Sequence, residues 1–223
     1  MNAALVIMAA GLGSRYGGNK QVDGVGPNGE VLMEYSIHAA IRAGFTKVVF
    51  IVKPEILGLV RTLCGDSLRG KTTRGGKPLE VCYAFQDFES LPAFYTLPAG
   101  RTKPFGTTHA VLCARDYVNE PFCVINADDY YGVGAYRAMY DELCRLPQSG
   151  RATMVGYLLK NTVSLNGTVS RGICRVENGE LTGVKEALKI QLYPDGHIAD
   201  IADGTPRPLD PDTPVSMNFW GFT

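Results

Sequence analysis

Only three histidines and one tryptophan occur in 223 residues, and neither sign of charge is in excess, with 22 Lys plus Arg against 22 Asp plus Glu. A balanced chain sets up no global field that would recruit nucleic acid or an anionic membrane, so any anionic ligand must be held by local groups. The six cysteines (Cys64, Cys82, Cys113, Cys123, Cys144 and Cys174) lie far apart, with no C-x-x-C pair and no Cys/His spacing. That argues against zinc. No apolar run approaches the length of a membrane span, and no basic stretch leads into a signal core at the N-terminus. Cysteines in apolar runs, such as Cys123, behave as small hydrophobes when reduced, which suits a cytoplasmic protein. These absences predict a chain with no nucleic-acid partner and no membrane partner.

What is present is an ordinary globular composition, 45% hydrophobic and 20% charged, long enough to bury a core without staples. Residues 4–10 are continuously apolar, the mark of a strand covered on both faces. A glycine-rich loop follows over 11–29, then a helix over 31–43 stopped by Gly44, a strand over 47–52 and a helix from Pro54. A strand over 80–86, a Pro- and Gly-rich loop over 92–105, a helix over 107–118, a strand over 122–127 and a helix over 135–146 complete this half. Such alternation predicts a mostly parallel sheet with right-handed crossovers.

The second half changes character. Short strands are expected over 152–159, 172–176 and 181–184, with Asn178-Gly179 as a hairpin turn. Residues 193–214 read as irregular, so that 160–214 forms a hairpin and insertion region, and a last strand covers 215–222. The chain stops at Thr223 directly after Phe219-Trp220-Gly221-Phe222, with no polar tail. One domain over 1–223, cut short at its C-terminus, is the expectation.

The strongest chemical feature is Gly11-Leu12-Gly13-Ser14-Arg15-Tyr16-Gly17-Gly18-Asn19-Lys20 after a buried strand. Glycines permit close backbone approach, so successive N–H groups can converge on phosphate oxygens. Arg15 can fork two oxygens and Lys20 supplies a mobile point charge. The dinucleotide fingerprint is broken at Tyr16, and Gly18-Asn19-Lys20 is not a P-loop ending. Taken alone, the loop reads equally as a connection bearing two solvated cations. Asn126-Ala127-Asp128-Asp129 ends a hydrophobic strand. A carboxylate there is placed to hold Mg²⁺, although Asp is also a common turn residue.

These segments together resemble the sugar-phosphate nucleotidyltransferases. The 11–20 loop is similar to their G-x-G-[ST]-R…K motif, in a form close to a bacterial subgroup with Gly-Ser-Arg-Tyr-Gly-Gly loops. Lys103-Pro104-Phe105-Gly106-Thr107-Thr108-His109-Ala110 resembles their P-x-G-[TL]-[AG]-x-A segment, and 124–129 resembles the strand ending in the metal-binding Asp. Gly172 with Gly183-Val184-Lys185-Glu186 resembles the stretch leading to the family's Glu-Lys-Pro, and 215–222 its late Asn-containing strand. The resemblance implies a Rossmann-like (GT-A-like) α/β fold, a three-layer sandwich around a mostly parallel mixed sheet. It also implies a nucleotidyltransferase that joins a nucleoside triphosphate (UTP, CTP or dTTP) to a small phosphorylated acceptor and releases pyrophosphate.

Carried over residue by residue, the resemblance puts Ala10, Gly11 and Gly13 against the nucleotide and Arg15 on its β- and γ-phosphates. Lys20 bridges the α-phosphate and the acceptor, Gln86 and Gly106 face the base, and Asp128 binds Mg²⁺. Gly172, Glu186 and Asn218 line the acceptor side. Asp129 becomes a supporting partner and His109 a structural residue. Two departures stand out: Ala187 and Leu188 replace the Lys and Pro after the matched Glu, which turns attention to Lys185 or Lys189 for the acceptor phosphate. The family's second metal carboxylate falls beyond Thr223. Competing readings are a GT-A glycosyltransferase, a non-catalytic nucleotide-sugar-binding subunit and, weakest, an NAD-dependent oxidoreductase. Oligomeric state is open.

Overall fold

The computed structural model describes residues 1–11, 24–147 and 150–223. They form two compact units, the first made of Met1–Thr153 with Phe219–Thr223 and the second of Met154–Asn218.

The first unit is built on the strands β1 (Ala4–Met8), β2 (Lys47–Val52), β3 (Glu80–Phe85) and β4 (Phe122–Asn126), in the order β3-β2-β1-β4. All three pairings are parallel: Val6 lies opposite Val49 and Val124, and Val49 opposite Cys82. Strands in such a sheet are covered on both faces, and β1 and β2 show it, with every residue of Ala4–Ile7 and of Val48–Val52 fully buried. The last strand, β10 (Pro214–Phe222), adds its C-terminal half to β4 in antiparallel fashion, Trp220 opposite Val124.

Helices cover both faces. On one, Val6, Val49, Ile51, Ala84 and Val124 pack against Ala110 and Ala114, which belong to α3 (Thr107–Cys113) and the turn after it. Phe222 joins that side. Alternation along β10 therefore turns Phe219 and Gly221 to the opposite face. There α4 (Val133–Arg145) sets Tyr136 5.0 Å from the Phe219 ring, and α1 (Leu32–Ala43) lies beside α4. The apolar stripe of α1 is Met33, Ile37 and Ala40 at helical spacing. Glu34 accepts a hydrogen bond from the Val31 N–H at its start, and Gly44 ends it at φ 129°. A side chain at Gly44 would be strained by that φ and would also strike the Tyr140 ring.

The expected helix from Pro54 is broken into short turns, of which α2 (Leu57–Val60) is the only α-helical one; a π-turn over Arg61–Gly65 and a 3₁₀ turn over Asp66–Leu68 follow it. Gly58 and Gly65 weaken a continuous helix there. The helix expected over 107–118 stops at Cys113 and continues as a 3₁₀ turn, Arg115–Tyr117. The Tyr117 carbonyl accepts a hydrogen bond from Lys47 Nζ.

The second unit is antiparallel. The strands β6 (Val169–Glu177) and β7 (Glu180–Leu192) form a long hairpin whose turn is Asn178-Gly179, with φ of 53° and 81°. Those angles are what a type I′ turn needs. β6 pairs with the N-terminal half of β10, β7 with β8 (Ile198–Asp200), and β8 with β9 (Arg207–Leu209). β5 (Ala152–Leu158) pairs with β10. The core is Leu159, Ala187, Ile190, Ile198 and Val215. The two hairpin strands run well past the expected 172–176 and 181–184, and the stretch over 193–214 is more regular than its composition suggested.

Candidate functional site

The strand order β3-β2-β1-β4 makes a topological switch beside β1: the chain moves outward from β1 to β2 and β3, then returns to pair β4 on β1's other side. Open α/β sheets bind ligands outside the carboxyl ends of the strands at such a point. The described site residues of the first unit lie at those ends. Met8 pairs with Asn126, and Ala10 and Asp128 each stand two residues further on. Gln86 directly follows β3, its N–H bonded to the Val52 carbonyl at 2.9 Å.

Ala10 is 8% exposed while Gly11 opens to solvent, and no heavy atom of the described residues would lie within 4 Å of a Cβ added at Gly11. Gly13, Arg15 and Lys20 lie outside the described residues.

Asp128 and Asp129 are both half-buried and differ in their partners. Asn126 Nδ2 donates to Asp129 Oδ2 at 2.6 Å, the Asn126 N–H donates to the Tyr131 hydroxyl at 3.0 Å, and that hydroxyl lies 3.5 Å from the same carboxylate oxygen. This small ring braces the turn that carries Asp128. Tyr131 is itself anchored, its ring 5.0 Å from that of Phe219. Sequence reasoning missed Tyr131; the available signal was a strand-end Asn followed by Asp and Tyr at offsets of three and five.

No group of three or more His, Cys, Asp or Glu placed to hold a metal occurs among the described residues. They therefore offer no all-protein cage of the kind zinc or calcium takes. A single half-buried carboxylate at a strand end does fit Mg²⁺, which binds through one or two carboxylates and leaves its other positions to water and phosphate.

Gln86 Nε2 donates to the Phe105 carbonyl at 3.1 Å, closing the loop between β3 and α3. With the amide nitrogen so engaged, the amide oxygen is the acceptor Gln86 has to offer. Gly106, the next residue, has φ −71°, which any residue adopts, and a Cβ there would meet nothing within 4 Å among the described residues. Neither its backbone nor the packing of the described residues demands glycine at 106.

In the second unit Gly172 pairs with Glu186 on one side and Ser216 on the other, so the three residues form a row across β7, β6 and β10. A Cβ at Gly172 would lie 2.7 Å from Val184 Cγ1. Here packing does demand glycine. Asn218 has φ 65° inside β10, and its N–H donates to Ser216 Oγ at 3.1 Å. A non-glycine residue held left-handed in a strand is costly and marks special positions. Lys185 pairs with Ile173, next to the Gly172–Glu186 pair, so strand alternation turns it to the other face from Glu186.

The burial of Cys64, Cys113, Cys123 and Cys174 raises each thiol above its usual pKa, Cys64 to about 12, and all six cysteines are free. Buried protonated thiols of this kind are inert. No described helix is long and apolar enough to cross a membrane.

No protein-family model matches the chain, and no curated protein matches it. Solved structures do. The inositol-1-phosphate CTP transferase of T. maritima is 12% identical, with a TM-score of 0.58 over 99% of this chain and 70% of that one. A UDP-glucose pyrophosphorylase complexed with UDP-glucose is 17% identical, with a TM-score of 0.53 over 100% of this chain and 76% of that one. The chain has the Rossmann-like fold of these sugar-phosphate nucleotidyltransferases.

Proposed function

We propose that this chain is a nucleotidyltransferase that transfers a nucleoside monophosphate from UTP, CTP or dTTP to a sugar 1-phosphate or a similar small phosphorylated acceptor, releasing pyrophosphate. The observation that carries the reading is the place of Ala10 and Asp128 just past the carboxyl ends of β1 and β4, which flank the switch point, with Gln86 at the same end of β3.

In this reading the backbone at Ala10, Gly11 and Gly13 faces the nucleotide. Gln86 offers its amide oxygen to an N–H of the base, and the opening at Gly106 lets the base lie against the main chain. Arg15 holds the β- and γ-phosphates, and Lys20 bridges the α-phosphate and the acceptor phosphate. Gly172, Glu186 and Asn218 contact the acceptor, with Ser216 added to them by its place in the same row.

The reaction is an in-line displacement: a phosphate oxygen of the acceptor forms a bond to the α-phosphorus, and the bond to pyrophosphate breaks. The attacking oxygen is already anionic near neutral pH, so no general base is needed. The residues act by positioning and by offsetting charge on the equatorial and leaving oxygens. Mg²⁺, held by Asp128, supplies further charge neutralisation when bound.

The test is a pyrophosphate-release screen of UTP, CTP and dTTP against a panel of phosphorylated acceptors. Release that requires both a triphosphate and an acceptor supports the reading, as does a loss of roughly two decades in Lys20→Ala, the scale of losing one preorganised donor. Release of nucleoside diphosphate from a nucleotide-sugar, with no pyrophosphate from any pair, replaces it with a glycosyltransferase.

A further inference from the structure

We propose that His109 is a positioning residue for base recognition, acting through Phe105 on the orientation of the Gln86 amide; the proposal rests on the nucleotide reading given above. His109 is 4% exposed, in the first turns of α3. Its ring meets both ends of the loop that separates β3 from α3: Phe105 edge-on at 5.6 Å and Phe88 near-parallel at 6.5 Å, with the two phenylalanines 6.1 Å apart. The His109 ring thus closes the inner side of a Phe105 ring that also packs on Tyr95 at 5.5 Å and lies 3.8 Å from the Arg101 guanidinium. The Phe105 carbonyl takes one N–H of the Gln86 amide, leaving the amide oxygen and the second N–H for the base.

The ring nitrogens of His109 add little to its anchoring. Nε2 has only the Cys113 thiol at 3.8 Å, and Nδ1 has no partner among the described residues. A buried ring nitrogen without a partner is destabilising, whereas a phenylalanine ring would make the same contacts without it.

The mechanism separates ring from nitrogen, and so does the test. Wild type, His109→Ala and His109→Phe are compared by thermal unfolding and by kcat/KM for UTP, CTP and dTTP with one acceptor. Without the ring, Phe105 is loosened and the amide is free to turn. His109→Ala is expected to lower the preference for the best triphosphate over the next by about tenfold, the scale of the net contribution of one hydrogen bond. His109→Phe is expected to keep that preference within about twofold, with a melting temperature no lower than wild type. Should His109→Ala fail to fold, Phe105→Leu, which removes the ring contact and keeps the carbonyl, is expected to show the same loss.

An unchanged preference in His109→Ala or Phe105→Leu, a wild-type preference near one, or an equal loss in His109→Phe overturns the proposal. Wild type that binds no triphosphate overturns the nucleotide reading as well. Wild type that binds and discriminates, beside a His109→Ala that discriminates equally, overturns only the role of His109.

Discussion

The side chains of Asn126 and Asp129 face each other across the turn that ends β4, amide nitrogen 2.6 Å from carboxylate oxygen. With the Tyr131 hydroxyl they hold the intervening backbone, and so the direction of Asp128. Partners of this kind typically matter to metal affinity by 10- to 100-fold, so Asp129→Ala is predicted to weaken Mg²⁺ roughly tenfold or more. Tyr131→Phe keeps the ring packing and is predicted to fall between wild type and Asp129→Ala. Magnesium titration, by activity and by metal-dependent shift of the melting temperature, checks both. A midpoint unmoved in Asp129→Ala removes the brace from the account.

Among the described residues nothing would lie within 4 Å of a Cβ added at Gly106. Gly106→Val is therefore predicted to fold with a stability loss of no more than about 1 kcal/mol. The same change is predicted to weaken triphosphate binding about tenfold or more, because the new methyls occupy the space given to the base. Calorimetric titration beside a melting curve separates the two effects. Loss of fold with intact binding contradicts the assignment.

Gly221 is the opposite case. A Cβ there would lie 2.4 Å from Met139 Sδ, 2.9 Å from Thr153 Cγ2 and 3.1 Å from Leu143 Cδ2. Gly221→Ala overpacks the contact of β10 with α4 and is predicted to cost about 1–3 kcal/mol in denaturant unfolding. A neutral change would mean that the Met139 thioether moves aside without loss.

At the far edge of the sheet from the site, Lys47 Nζ lies 2.8 Å from Glu120, 3.4 Å from Glu80 and 3.0 Å from the Tyr117 carbonyl. Burial pushes its pKa down, but the hydrogen bond and charge of Glu120, with Glu80, outweigh this and leave it raised. A raised folded-state pKa gives stability that is complete below the unfolded value and lost as pH climbs through the folded one. Lys47→Met is predicted to destabilise by about 1–2 kcal/mol, less than for a fully buried pair because Glu80 is exposed and Glu120 only half-buried. The loss should shrink only in the alkaline range above about pH 10, where wild type begins to lose the charge. Melting curves of both proteins across that range provide the check.

How much of this could be read in the sequence depends on what fixed each element. β1, β2 and β4 were legible because strands buried on both faces must be apolar throughout, and the 47–52 run matches β2 at both ends. The Asn178-Gly179 turn was legible because its φ values restrict the residues allowed there. The reach of β6 and β7 was not. Much of β7 is solvent-exposed, so Glu180–Leu192 carries no hydrophobic pattern, and main-chain pairing with β6 holds it. Among the candidate site residues, Gln86, Asp128 and Glu186 were named by resemblance to a motif, whereas Ser216, Tyr131 and the role proposed for His109 rest on pairings across distant parts of the chain. The split of Lys185 from Glu186 was latent in strand alternation, but only once 180–192 was known to be one strand.

The most direct test of the central claim is pyrophosphate release by wild type and Asp128→Ala in the presence of magnesium, one pyrimidine triphosphate and one phosphorylated acceptor. Release from wild type is expected only when both substrates are present, with a fall of roughly a hundredfold or more in Asp128→Ala. Release independent of the acceptor, or an Asp128→Ala protein as fast as wild type, would contradict it.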